Sequence, residues 1–271
     1  MGHCKRFFSG LIFSMLFALA HAAEPSIKIW TVEEPPTNYN DEKGRLTGLA
    51  VDVVREMQKV LKDVTPIEII PTARVIEVSK REPNILAFSL ARNKAREDLG
   101  YQWIMQTSYK PWTFYVPKDS PNTANSLDDV KKLKIGVVRG SVFENYLTDN
   151  KFVLVDPTTA HSNNILKLLA GRVDAVLATG LIVASECKIM GTCKISAFKN
   201  LYEPTGSNSW ITFSPGTDPG IVAKWKAAGE ELRKNGTYKA IATKWQKQID
   251  AEYEMKTYFN KDGILVLDSQ D

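Results

Sequence analysis

The sequence predicts an α/β fold made of two similar units, and two observations carry this. Short apolar runs rich in β-branched residues alternate with segments of helical period, which favours a largely parallel sheet flanked by helices. The alternation stops at a polar stretch, "KDSPNTANSLDDVKKL" (118–133), and then begins again.

In the first unit, "IKIWTV" (27–32) is a strand by composition. The paired prolines and glycines of "EEPPTNYNDEKGRLTG" make a loop. Apolar residues at Leu49, Val53, Met57, Val60 and Leu61 then predict a helix. "PIEIIPT" is a strand, "ARVIEVSKR" a short helix and "NILAFSLA" (84–91) a strand.

In the second unit, "KIGVVRG" is a strand running into a glycine, and "SVFENYLTD" is a helix that Ser141 is placed to cap. "FVLVD" is a strand, "AHSNNILKLLAGR" a helix closed by Gly171, and "VDAVLAT" a strand. Two further helices meet at Asn235–Gly236. Residues 251–271 have no assigned structure at this level.

The amino terminus sets the compartment. Lys5 and Arg6 precede "FFSGLIFSMLFALA", an apolar run too short to span a membrane comfortably, and "AHA" ends at Ala22. Residues 1–22 therefore read as a secretory signal peptide, removed with Cys4. No later apolar run is long enough to cross a bilayer. The full chain has 35 basic and 31 acidic residues, and losing Lys5 and Arg6 leaves 33 against 31. Such a balance gives no basic excess for nucleic acid.

Cys187 and Cys193 remain. In an oxidising compartment, a close pair around Gly191 is expected to form a disulfide; the alternative is two buried free thiols. His161 is the single histidine left after cleavage, which argues against a zinc site and against histidine-dependent catalysis. No metal and no cofactor are expected.

Two α/β lobes leave a cleft, and ligands favour such clefts at the carboxyl ends of parallel strands. "SLARNKARE" and "VVRGS" both stand at strand ends.

Four segments resemble a known family. "IKIWTVEEPPTNYNDEKGRLTGLAVDVVREM", "NKAREDLGYQW", "LAGRVDAVLAT" and "LRKNGTYKAIATKW" follow, in order across 27–248, the motifs of the extracellular solute-binding proteins of family 3, receptors for polar amino acids in bacterial ABC importers. The resemblance implies a two-lobed periplasmic-binding-protein fold of type II. Each lobe is a mostly parallel sheet flanked by helices, and a double-crossover hinge joins them. It places lobe 1 at 23–110 plus 207–250, lobe 2 at 111–206, and a tail at 251–271.

By this resemblance, Arg96 matches the arginine that grips a ligand α-carboxylate, a task suited to a planar fork of donors. Ala91 stands where the family often has a hydroxyl, and Arg92 lies just after the strand. Gly140 and Ser141 open a helix whose amides attract anions. Thr179 replaces the aspartate that pairs with the α-ammonium, so a counter-ion must come from elsewhere. Glu34 and Glu33 are the candidates. Tyr39 is a candidate aromatic wall, and Arg74 matches an arginine of one branch of the family. Each residue also has a plainer reading. The glutamates and Arg92 suit an exposed loop, Arg96 suits a surface pair with Glu97, Arg74 suits support of the loop, Ser141 suits a cap, and Tyr39 suits packing beneath the loop.

The sequence thus implies a monomeric periplasmic receptor, not an enzyme, that captures an amino acid or similar carboxylate-bearing solute and delivers it to an ABC permease. The alternatives are a lyase or dehydratase on the same fold, or a ligand-sensing module that docks on a membrane partner.

Overall fold

The structure is a computed structural model describing residues 26–269. The predicted signal peptide and the last two residues lie outside the described range. In chain order, β1 (Lys28–Thr31) leads into a loop with a two-stranded ribbon, β2 (Tyr39–Asn40) and β3 (Leu46–Thr47). Then come α1 (Leu49–Leu61), β4 (Ile67–Ile69), α2 (Thr72–Ser79), β5 (Ile85–Ala91) and α3 (Lys94–Asp98). The long β6 (Gln102–Pro117) leaves this unit. It is followed by α4 (Leu127–Val130), β7 (Ile135–Val138), α5 (Val142–Asp149), β8 (Val155–Thr158), α6 (His161–Leu169), β9 (Ala175–Ala178) and α7 (Gly180–Met190). A second long strand, β10 (Phe198–Phe213), returns, and α8 (Pro219–Lys234), α9 (Thr237–Tyr253), β11 (Tyr258–Phe259) and β12 (Leu265–Val266) complete the chain.

The strand order is β4-β1-β5-β10-β6-β9-β7-β8. In the first unit β1 pairs in parallel with β4 and β5, and in the second β7 pairs in parallel with β8 and β9. Between them β6 and β10 run antiparallel, from Phe213 opposite Gln102 to Phe198 opposite Pro117. The chain thus passes twice between the units through one strand pair, the double crossover of the expected fold.

α1 forms because its apolar positions fall on one face; Leu49, Val53, Val54 and Met57 are fully buried. Each such burial is worth about 1.5–3 kcal/mol. Phe114, Ile135, Phe143 and Leu177 centre a core in the second unit. A larger core continues from α1 and α8 through α9 to α7. The two units are therefore bridged behind the sheet as well as through the strand pair.

Several segments depart from the expected elements, foremost the two long strands β6 and β10, which have no counterpart among them. The strand expected over "FVLVD" lies later, at Val155–Thr158, because Phe152 packs under the end of α5 while Val153 stays exposed. α7 carries no amphipathic period, because its residues are packed by α6, α9 and β6 from several sides. The unassigned tail forms a hairpin in which β12 pairs with β6, Val266 opposite Tyr109. Cys187 and Cys193 are bonded, closing the end of α7 onto the next turn.

Candidate ligand site

The site begins with the loop after β1. Its Pro35–Pro36 peptide is cis, and it folds tightly: the Glu34 amide donates to the Asn38 carbonyl at 2.7 Å, and the Thr37 amide to the Glu34 carbonyl at 2.9 Å. Leu49 and Ala50, the first amides of α1, donate to the Pro36 and Thr37 carbonyls at 3.3 and 2.9 Å. This close approach requires Gly48, since a side chain there would overlap the Thr37 carbonyl. Buried Asn38 donates to the Val32 carbonyl and accepts from the Ser89 hydroxyl, fixing the loop to the end of β5.

So held, Glu34 pairs with Lys110, which projects from the middle of β6. Around them lies a cavity of about 340 Å³ reaching from the first unit to the second. Its far wall is aromatic and aliphatic. Trp112 meets Phe143 edge to face at 5.1 Å and Tyr146 at 5.9 Å, and its indole N–H donates to the Ser207 hydroxyl at 2.8 Å. Val142, Leu181 and Ile182 extend this wall, and the floor carries the hydroxyls of Thr179, Ser185 and Ser207. Glu34 and Lys110 are the charged side chains among the described lining. Lys110 is only 9% exposed, so its partner matters.

Of the residues singled out in the sequence, Glu34 and Thr179 line the cavity. Thr179 is also the N-cap of α7, accepting from the Ile182 amide at 3.3 Å. Gly140 and Ser141 stand one step outside, directly before Val142. Ser141 caps α5, and the Gly140 amide donates to the Glu144 carboxylate at 2.6 Å, so this helix start already holds an anion of its own.

The other residues lie elsewhere. Arg96 donates to the Ala91 carbonyl, closing the turn from β5 into α3, and burial pulls its guanidinium below the ordinary arginine value. Arg92 pairs with Glu97 at 2.7 Å and lies over Trp210 and Trp103, 5.0 and 5.6 Å from their centroids. Glu33 and Arg74 are exposed. Tyr39 packs against the main core; burial raises its phenol, with the carboxylates of Glu252 and Asp41 adding to the effect.

The sequence reading missed Lys110, Trp112, Phe143 and Ser207 as site residues. A lysine between aromatic residues in "YKPW", Tyr109 to Trp112, was the available signal for Lys110. Nothing local marks Ser207, which reaches the site through its pairing opposite Lys110.

Comparison with known proteins adds three kinds of finding. The profile of the bacterial extracellular solute-binding proteins, family 3, matches residues 27–248. The L-cystine-binding protein TcyJ of Bacillus subtilis (strain 168) is 24% identical over 234 residues, covering 83% of each chain. The arginine-binding periplasmic protein of Mannheimia haemolytica is 23% identical over 245 residues, 86% of this chain and 97% of its own. Among solved structures, a histidine kinase sensor domain with similarity to periplasmic binding proteins superposes with a TM-score of 0.61 at 17% identity, covering 82% of this chain and 96% of its own. At that identity the last likeness speaks for the fold alone.

Proposed function

The chain belongs to the bacterial extracellular solute-binding proteins, family 3, and from that premise we propose that it captures an amino acid or similar small carboxylate-bearing solute in the cavity beside β6. One observation carries this reading: the cavity is lined from both units at once. Glu34 and Pro35 come from the first, Phe143 and Thr179 from the second, and Lys110 and Ser207 from the strands that join them. A solute there touches every part that would move when two lobes close about a hinge.

On this reading the protein works as a monomer in the periplasm after loss of residues 1–22, and a closed, loaded form docks on an ABC permease. The same reading keeps the residues at the strand ends, Arg92 and Arg96 after β5 and Gly140 and Ser141 after β7, as groups to be tested for contact with the solute in the closed form. Glu33, Arg74, Tyr39 and Ala91 are not among the lining of this cavity and carry no role in the reading.

The test is calorimetric titration of the mature protein, first unfolded and refolded to strip carried-over solute, with a panel of amino acids, amines and organic acids. Saturable binding of an amino acid, weakened by substitution of Lys110 or Glu34, supports the reading. Absence of heat and of any thermal shift across the panel refutes it. Parallel titration of Arg96→Ala and Lys110→Met separates the two cations as holders of the carboxylate.

A further inference from the structure

We propose that the cleft selects a zwitterion of no net charge with an uncharged, largely apolar body. Its ammonium lies on Glu34, its carboxylate on Lys110, and its body against Trp112 and Phe143. This deepens the solute-binding reading and rests on it.

The argument starts from charge. Glu34 and Lys110 neutralise each other in the cleft, and the Lys110 side chain is 11% exposed. A solute that meets either group must part the pair. Parting it leaves Lys110 a poorly hydrated charge, and leaves Glu34, whose side chain is 36% exposed, with the Thr37 hydroxyl at 3.3 Å and solvent, unless the solute supplies a replacement on each side. A zwitterion does so, since its two charges exchange one ion pair for two. A carboxylic acid without an amine satisfies Lys110 and strands Glu34, and an amine without a carboxylate does the reverse. Thr179 offers no charge for an ammonium, since its side chain is a neutral hydroxyl, and its oxygen already accepts from the Ile182 amide.

The body is decided by the far wall. Val142, Phe143, Leu181 and Ile182 present carbon, and Trp112 has its N–H engaged by Ser207. A cationic or anionic side chain extending that way would meet no described group of opposite charge. An apolar or aromatic body gains by leaving water. Exposed Val142 gains with it, as the solute covers this residue at the start of α5.

The test is titration of the refolded mature protein with phenylalanine, leucine, 3-phenylpropionate, phenethylamine, arginine and glutamate, by calorimetry and thermal shift. Phenylalanine or leucine is expected to bind, and each single-charge analogue to bind at least about tenfold more weakly. Arginine and glutamate are expected to fall below both apolar amino acids. Glu34→Gln should erase the preference for phenylalanine over 3-phenylpropionate, and Lys110→Met its preference over phenethylamine. Circular dichroism of each variant checks folding, and the double variant Glu34→Gln/Lys110→Met, which leaves no unpaired charge, should lose phenylalanine. Arginine or glutamate binding as tightly as phenylalanine overturns this inference and leaves the solute-binding reading standing. So does undiminished phenylalanine binding by the double variant. Silence with every member of the panel and with the wider set of solutes overturns both.

Discussion

Gly180, the first residue of α7, lies directly against the carboxylate of Asp268 in the carboxyl-terminal tail. A Cβ at Gly180 would overlap that carboxylate and stand 2.9 Å from the Tyr115 hydroxyl. Gly180→Ala is therefore expected to push the tail off the start of the helix. Overpacking of this kind costs about 1–3 kcal/mol, or a melting temperature lower by roughly 2–12 °C for a chain of this size. An unchanged thermal melt would show that the tail yields without loss.

Asp268 is itself a pH-dependent element. It is 2% exposed and accepts from the Tyr115 hydroxyl at 2.6 Å, the Thr113 hydroxyl at 3.2 Å and the Ser269 amide at 2.8 Å. Burial pushes its carboxyl up to about 6 from 3.8, against those hydrogen bonds, and Glu203 adds to the rise. As pH climbs from about 4, the unfolded chain releases this proton before the folded one does. The group's contribution therefore weakens the fold up to about pH 6 and is constant above, at about 3 kcal/mol. Asp268→Asn should gain stability on wild type across that window in urea unfolding at pH 4, 5, 6 and 7. His161, whose imidazole burial holds below its ordinary value, loses stability as pH falls below about 6.5 and cancels in the difference. A gap that stays flat with pH would refute the assignment.

Arg96 holds the turn between β5 and α3 through the Ala91 carbonyl. Arg96→Ala should cost about 1.5–3 kcal/mol, as for a hydrogen bond from a charged donor. If Lys110 carries the solute's carboxylate, solute affinity in this variant should stay within about threefold of wild type, because under 0.7 kcal/mol is then lost. A large fall in affinity with little change in melting temperature would instead place Arg96 on the solute.

The disulfide closes a short loop, with the two cysteines six positions apart in sequence. Loop-closure entropy for so short a ring is about 2 kcal/mol. Replacing both cysteines by serine should therefore lower the melting temperature by about 4–8 °C. The same treatment tests whether the ion pairs beside the bridge, Lys188 with Glu252 at 3.0 Å and Lys194 with Glu254 at 2.7 Å, depend on it. Salt should then destabilise wild type more than the double-serine variant.

The sequence by itself determined the alternation of strands and helices, the restart at the polar stretch, and the family. These rest on local signals: β-branched runs, helical period, the Ser141 cap and the Gly171 stop, all written within a dozen residues of where they act. Glu34 was legible for the same reason, as a carboxylate beside the paired prolines. Only the tertiary structure decided which side chains share the cleft. Lys110 and Ser207 face each other because β6 and β10 pair antiparallel across 97 positions of sequence, and register over such a separation has no local signature. α7 was illegible because a helix packed on several sides has no polar face to give it a period. The tail was illegible because its short strands gain their order from β6 and its one buried carboxylate from Tyr115 and Gly180. Short-range propensity fixes where a chain bends and extends, while burial and charge pairing across distant segments fix what a cleft can hold.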